Sequence, residues 1–390
     1  MGYRSEARRL PLALAGSLLT AGLLTAGLLA GPVTGTASAA TCHSRTGVQA
    51  AGPGSQNLLT GVAVLSPCDV WAVGDFSNGG GDKTLIEHWD GAKWTVLPSP
   101  DPSKQSNFLG GVSAVSARNV WAVGDDTSAS GSAALFLHWN GFSWRIVPSP
   151  TLNSAVALDA VRAVSTHDVW AVGNTLSANS ERTVIEHWNG QAWSRVPSPS
   201  PGLFAELHAV TAVSATNVWA VGFYSDGTAA QHTLILHWNG HAWKTVASPN
   251  PYPGNALNGI AATSASNAWA VGVSAGTVKR HTLVLHCNGH AWKPVAAPSP
   301  GVGNGDNLQS VVAFSPTNAW AVGGFTTNAG DIALALHWNG HSWSRVVVHG
   351  PGKAGNSLFA VGAAAAADVW AVGDYTNGGD VTNALAIRCC

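Results

Sequence analysis

Six histidines recur at one place in a repeating pattern, at His88, His138, His187, His237, His286 and His337, and evenly spaced imidazoles are the first groups to weigh for metal binding or proton transfer. Their spacing of about fifty residues puts one in each of a series of equivalent units. Side chains so distributed are too far apart to share an ion, so the reading is structural, a polar group tying strands together in every unit. Arg388 takes the same place in a seventh copy. Glu87 and Glu186 stand just before two of these histidines, but in units that are not neighbours, so they do not form the carboxylate pair of a glycoside hydrolase. Neither a metal site nor a cofactor motif is expected, and no catalytic residue is assigned.

The elements that carry these residues are set by a repeat. Trp-Ala-Val-Gly begins at Trp71, Trp121, Trp170, Trp219, Trp269, Trp320 and Trp370. A second Trp recurs at Trp89, Trp139, Trp188, Trp238 and Trp338, and a third at Trp94, Trp144, Trp193, Trp243, Trp292 and Trp343, which accounts for all 18. One unit reads as four short strands, Leu109–Ser116, Val120–Gly124, Ala134–Trp139 and Trp144–Val147, apolar on both faces and bounded by turn residues. A strand apolar on both faces must be covered on both sides, as in a blade stacked between two others. The fold class is therefore all-β, a seven-bladed β-propeller with four antiparallel strands per blade. Asp or Asn before each Trp-Ala-Val-Gly (Asp69, Asn119, Asp168, Asn217, Asn267, Asn318, Asp368) is expected to bond the nearby backbone of a tight turn. Asn-Gly after the third strand marks a hairpin, and Pro-Ser-Pro after the fourth protects an outer edge.

The seventh copy stops after its third strand, Ala384 to Arg388. Ser44 to about Ala51 resembles the fourth strand of the sixth copy, so the last blade is expected to be completed by the N-terminal strand. Aligned on the repeat, Cys389 replaces Trp338 and Cys42 replaces Ser342. Two disulfides are expected among Cys42, Cys68, Cys389 and Cys390, with Cys42 to Cys389 preferred, and Cys287 is expected to be a buried free thiol.

Binding in a ring of like units belongs where the repeat breaks its own rule. The second-to-third-strand segments (Asp75 to Lys83, Asp125 to Ala133) and the fourth-to-first connections (Asp101 to Phe108) read as long loops on one face. Near that face, the residue after the first strand's Leu changes in every copy: Thr60, Gly110, Asp159, His208, Asn258, Gln309 and Phe359. With Arg162, the polar members Asp159, His208, Asn258 and Gln309 are expected to form an arc at the channel mouth, a ligand site. Asp159 with His208 is the one ionisable pair that could serve chemistry there.

Arg4, Arg8 and Arg9, an apolar stretch to about Ala30, and Ala37-Ser38-Ala39 read as an export signal over residues 1–39, leaving 40–390 as one propeller domain. The formal net charge of −1 includes those three arginines, and no Lys/Arg run exists elsewhere, which argues against nucleic acid or an anionic membrane as partner. The unit Asn119-Val-Trp-Ala-Val-Gly with His138-Trp-Asn-Gly-x-x-Trp144 resembles the repeats of bacterial propellers related to sialidase-like, Asp-box and photosystem II assembly-factor proteins. Gly141-x-x-Trp144 of an Asp-box survives, while Trp139 stands where the Asp would be, and the arginine cluster and Tyr/Glu pair that sialidase activity implies have no counterpart. The expectation is a secreted, monomeric, non-catalytic propeller that recognises an extracellular glycan, peptide or protein. A glycan-active hydrolase or lyase with its site at the channel mouth is the alternative.

Overall fold

The computed structural model describes residues 52–129, 131–148, 155–177, 179–228, 230–276, 279–302, 305–328, 330–379 and 381–389, with Cys42–His43. For Cys42, His43 and Cys389 the description is of backbone alone. The expected leader, Ser44 to Ala51 and Cys390 lie outside the described residues.

Every regular element among the described residues is a strand. The second unit runs Ser106–Ser116, Asn119–Ser128, Gly131–Trp139 and Trp144–Ile146, paired antiparallel in that order. Five such four-stranded sheets form, and a nine-stranded sheet contains the first and last units together. The innermost strands are Gln56–Ser66, Ser106–Ser116, Ala155–Ser165, Phe204–Ser214, Gly254–Ser264, Asn307–Ser315 and Gly355–Ala365. Each packs on the next, and Gly355–Ala365 packs on Gln56–Ser66, so the series closes on itself as a β-propeller.

Two expectations need correction. The second and third strands extend well past Gly124 and before Ala134, so the supposed long loop of the second unit is a hairpin with Ser128 opposite Gly131. The first unit behaves alike, with Ser77 opposite Asp82. The units are also not all separate sheets: Gln56 pairs in parallel with Thr382, and the Thr382 amide donates to the Ser55 carbonyl at 3.1 Å, which fuses first and last into one mixed sheet.

Packing between units is done by tryptophan. In five of the seven units the Trp of Trp-Ala-Val-Gly meets both outer tryptophans of the next unit: Trp71 lies 5.2 Å from Trp139 and 5.5 Å from Trp144, Trp170 lies 5.2 Å from Trp238 and 5.4 Å from Trp243, and Trp370 meets Trp89 and Trp94 at 5.4 and 5.5 Å, whereas Trp219 meets Trp292 alone and Trp320 faces the unit that carries cysteines there. Tilted and edge-on pairs at these distances add to the gain from burying large rings. The third-strand Trp also satisfies its indole N–H, as Trp89 Nε1 donates to the Pro67 carbonyl and Trp338 Nε1 to that of Pro316.

The repeated histidines are structural, as expected, but through partners the sequence reading placed elsewhere. His88, His187, His237 and His286 meet the side chains of Asp69, Asp168, Asn217 and Asn267 at 2.8–2.9 Å, and Arg388 meets Asp368 at 2.8 Å. The Asp/Asn position therefore clamps the second strand to the third across the ladder. The turn backbone is held by a serine two residues earlier, as the Cys68 amide donates to Ser66 Oγ and that of His167 to Ser165 Oγ, both at 3.2 Å. The serine of Pro-Ser-Pro has a similar duty: Ser99 Oγ lies 2.6 Å from Thr84 Oγ1 and Ser198 Oγ 2.9 Å from Thr183 Oγ1.

Cys287 is buried and free, as expected. Cys68 is also a free thiol, exposed at its turn, which removes it from the expected bridges. Cys42–His43 pairs antiparallel with Arg388–Cys389, so an N-terminal segment does add to the last unit. Cys42 stands opposite Cys389 as Trp343 stands opposite Trp338, so its place in the repeat is that of Trp343 rather than Ser342.

Candidate functional site: a polar collar at the channel mouth

In each inner strand the ladder slips by one residue immediately after the conserved Leu, at Leu59/Gly61, Leu109/Gly111, Leu158/Ala160, Leu207/Ala209, Leu257/Gly259, Leu308/Ser310 and Leu358/Ala360. The residue left without a partner is the one that varies: Thr60, Gly110, Asp159, His208, Asn258, Gln309 or Phe359. A β-bulge bends the strand and re-aims the side chain of its extra residue. The final Gly of Trp-Ala-Val-Gly is required by this geometry. A Cβ on Gly124 would lie 1.9 Å from the Phe108 carbonyl oxygen, and one on Gly222 1.9 Å from that of Glu206. The constant glycine thus makes room for the bulge that displays the changing residue.

All seven bulge residues line one cavity of about 740 Å³ along the channel. Asp159, His208, Asn258 and Gln309 therefore line a common space, and Arg162, three residues further along its strand than Asp159, lines it as well.

The five do not have equal freedom. Asn258 Nδ2 donates to the Leu308 carbonyl at 2.9 Å and His208 Nδ1 lies 3.1 Å from that of Leu257, each reaching the next inner strand, and Thr60 Oγ1 does the same to Leu109 at 2.6 Å. These side chains strap neighbouring strands together as well as facing the channel. Asp159 also has a partner. Arg162 and Gln309 form no side-chain hydrogen bond or ion pair among the described residues, and Arg162 is open to water within the channel. The protein around it disfavours its charged form, holding its pKa below the ordinary arginine value. An uncommitted guanidinium with five donors is the strongest ligand-directed group here.

The closest carboxylate to His208 is one the sequence reading missed. His208 Nε2 lies 3.3 Å from Glu206 Oε2, while Asp159 acts on it through its charge. Burial alone lowers the His208 pKa, but the Glu206 hydrogen bond and charge, the Asp159 charge and the Leu257 carbonyl outweigh it, and the net shift is upward. Both ring nitrogens face acceptors, a carbonyl and a carboxylate, an arrangement that suits the doubly protonated ring. Such a ring has no lone pair for proton abstraction, so the Asp159 and His208 pair nominated for chemistry is not arranged as a free base. Glu206 was legible in principle: two residues before His208 on a strand, it shares the same face. Arg280, at the start of a third strand, also lines the cavity and carried no repeat signal.

Elsewhere two carboxyls are buried without full compensation. Glu87 is 1% exposed and burial pushes it up to about 8. Glu186, 2% exposed, is pushed by burial to about 7, and the Arg195 charge opposite it holds it down. Among the described residues no group of three or more His, Cys, Asp or Glu is placed to hold a metal ion.

No protein-family description matches the chain, and no curated protein sequence matches it. Solved structures do. One described as YCF48 bound to D1 peptide superposes with a TM-score of 0.53 at 15% identity, over 88% of this chain and 95% of that one. YCF48 from Cyanidioschyzon merolae superposes with a TM-score of 0.50 at 14% identity, over 85% and 96%. At these identities the likeness is one of fold, and it agrees with the strand pairing in making this chain a β-propeller.

Proposed function

We propose that the chain is a secreted, monomeric, seven-bladed propeller without catalytic activity, which binds an extended peptide or protein segment at the polar mouth of its channel. The observation that carries this reading is the convergence of the bulge residues on one cavity, with Arg162 and Gln309 uncommitted. Unlike neighbours around one rim suit recognition of an asymmetric chain. Arg162 would anchor a carbonyl or carboxylate, Gln309 a backbone amide, and Asp159 a donor, while His208 and Asn258 hold the rim in shape. That a protein of similar fold is described bound to a peptide supports peptide over glycan.

Seven units follow from the seven copies of the motif, and the closed series of inner strands supports the count. Secretion rests on the leader-like residues 1–39. The committed state of His208 favours binding over hydrolysis. The test is a peptide-display selection on the mature protein, run beside a polysaccharide panel with product release assayed. Selected peptides that lose at least tenfold in affinity on Arg162→Ala support the reading. Polysaccharide turnover, or peptides indifferent to every rim substitution, contradicts it.

A further inference from the structure

The junction before the last unit departs from every other. At the outer edge of the sheets, a third-strand residue stands directly opposite the first residue of the fourth strand: Trp89 opposite Trp94, Trp139 opposite Trp144, Trp188 opposite Trp193, Trp238 opposite Trp243, Cys287 opposite Trp292, and Trp338 opposite Trp343. In the last unit the same register places Cys389 opposite Cys42. Two cysteines thus replace a tryptophan pair at the one place where the sheet is completed by a strand from the other end of the chain.

The kind of pair matters. The Asp90 amide donates to the Lys93 carbonyl at 3.2 Å, and the Leu97 amide to that of Ile86 at 2.8 Å. Antiparallel pairs alternate, so Trp89 and Trp94 form a non-hydrogen-bonded pair, and Cys389 and Cys42 hold the equivalent register. Directly opposite residues of that kind have Cα atoms about 4.5 Å apart, inside the range of about 4.4–6.8 Å that a disulfide spans. Cys68 and Cys287 are free, which leaves this pair without competition from either.

We infer that Cys42 and Cys389 form a disulfide that covalently latches the ring. Each thiol gives up a proton, the two sulfurs together give up two electrons as the S–S bond forms, and the electrons reduce the disulfide of an oxidising thiol–disulfide oxidoreductase to two thiols. The bond links residues 347 positions apart, so it restricts nearly the whole unfolded chain. Among the described residues the N-terminal strand is otherwise held only by the backbone pairing of Cys42–His43, antiparallel with Arg388–Cys389 and parallel with Val348–His349, two residues on each strand. The latch stands whether or not the channel binds a peptide.

The test uses the full chain expressed with its leader in an oxidising compartment and purified without reductant, alkylated at low pH and digested with trypsin. Cleavage after Arg45 and Arg388 should release the N-terminal peptide joined to Cys389-Cys390. The joined species should persist in Cys390→Ser and vanish in Cys389→Ser and Cys42→Ser. Reductant should lower the wild-type Tm by about 5–10 °C and leave that of Cys42→Ser unchanged. Cys42 recovered alkylated, an N-terminus trimmed past Cys42, a link to Cys68, or a link that survives Cys389→Ser but not Cys390→Ser would each overturn the inference.

Discussion

The seams between units and the rim of the channel obey opposite rules. At the seams the same tryptophans recur and meet at nearly the same distances, 5.2, 5.0, 5.2 and 4.9 Å for Trp71–Trp139, Trp121–Trp188, Trp170–Trp238 and Trp269–Trp338. At the rim one bulge recurs but its side chain is Thr, Gly, Asp, His, Asn, Gln or Phe. Buried seams leave no choice of shape, because every unit must fit its neighbour. A side chain that projects into an open channel has fewer packing demands, so its identity is free to change from unit to unit. The scaffold is thereby separated from the surface proposed to read a ligand.

Substitutions should break that contrast in order of size. Trp170→Ala, which empties a seam, should cost about 3–5 kcal/mol, read from denaturant unfolding, with weakened binding at the rim only as a consequence of instability. Glu87→Leu tests a seam position where the repeat already errs, since Leu137, Leu236, Leu285 and Leu336 stand at its equivalents. The folded carboxyl is raised to about 8, above its ordinary value of 4.5, so the folded state holds protons that the unfolded state releases. Stability from this group is complete below about pH 4.5 and declines as pH rises toward 8. Glu186 adds the same sign of dependence between 4.5 and about 7. Glu87→Leu should therefore stabilise by about 1–3 kcal/mol at pH 8, flatten the decline of Tm with pH, and have little effect at pH 4.

Asp168→Ala should cost about 1–2 kcal/mol by removing the clamp to His187, and a double-mutant cycle with His187→Ala should show strong coupling. The smallest effect belongs to the rim: Gln309→Ala should move stability by no more than about 0.5 kcal/mol, as its side chain holds nothing in place. A stability loss at Gln309 as large as at Asp168 would erase the distinction between the two regions.

The fold was legible because its signal is redundant. Trp-Ala-Val-Gly, the histidines and the Asn-Gly turns each return the same period, so a misread strand boundary could not hide it. What was misread concerns partners across the sheet. Asp168 bonds His187, nineteen residues away on a paired strand, and adjacency in sequence favoured the nearby turn instead. The second and third strands run on through residues such as Asp125, Asp126 and Thr127, whose polarity reads as loop but which stay paired near the channel end of the sheet. The rim was found because a position that varies inside a strict repeat is visible in the sequence, whereas the bulge that aims it is a property of register. Glu206 escaped notice because neighbouring units carry Ala157 and Ala256 at its place, so no pattern singled it out.

In the proposed division of labour the rim binds and the seams support. Its most direct test measures, on the same samples, the affinity of a display-selected peptide and the thermal midpoint for wild type and Arg162→Ala. A loss of at least tenfold in affinity with a midpoint unchanged within about 2 °C is expected. Unchanged affinity, or a loss that appears only in step with a fall in the midpoint, would contradict it.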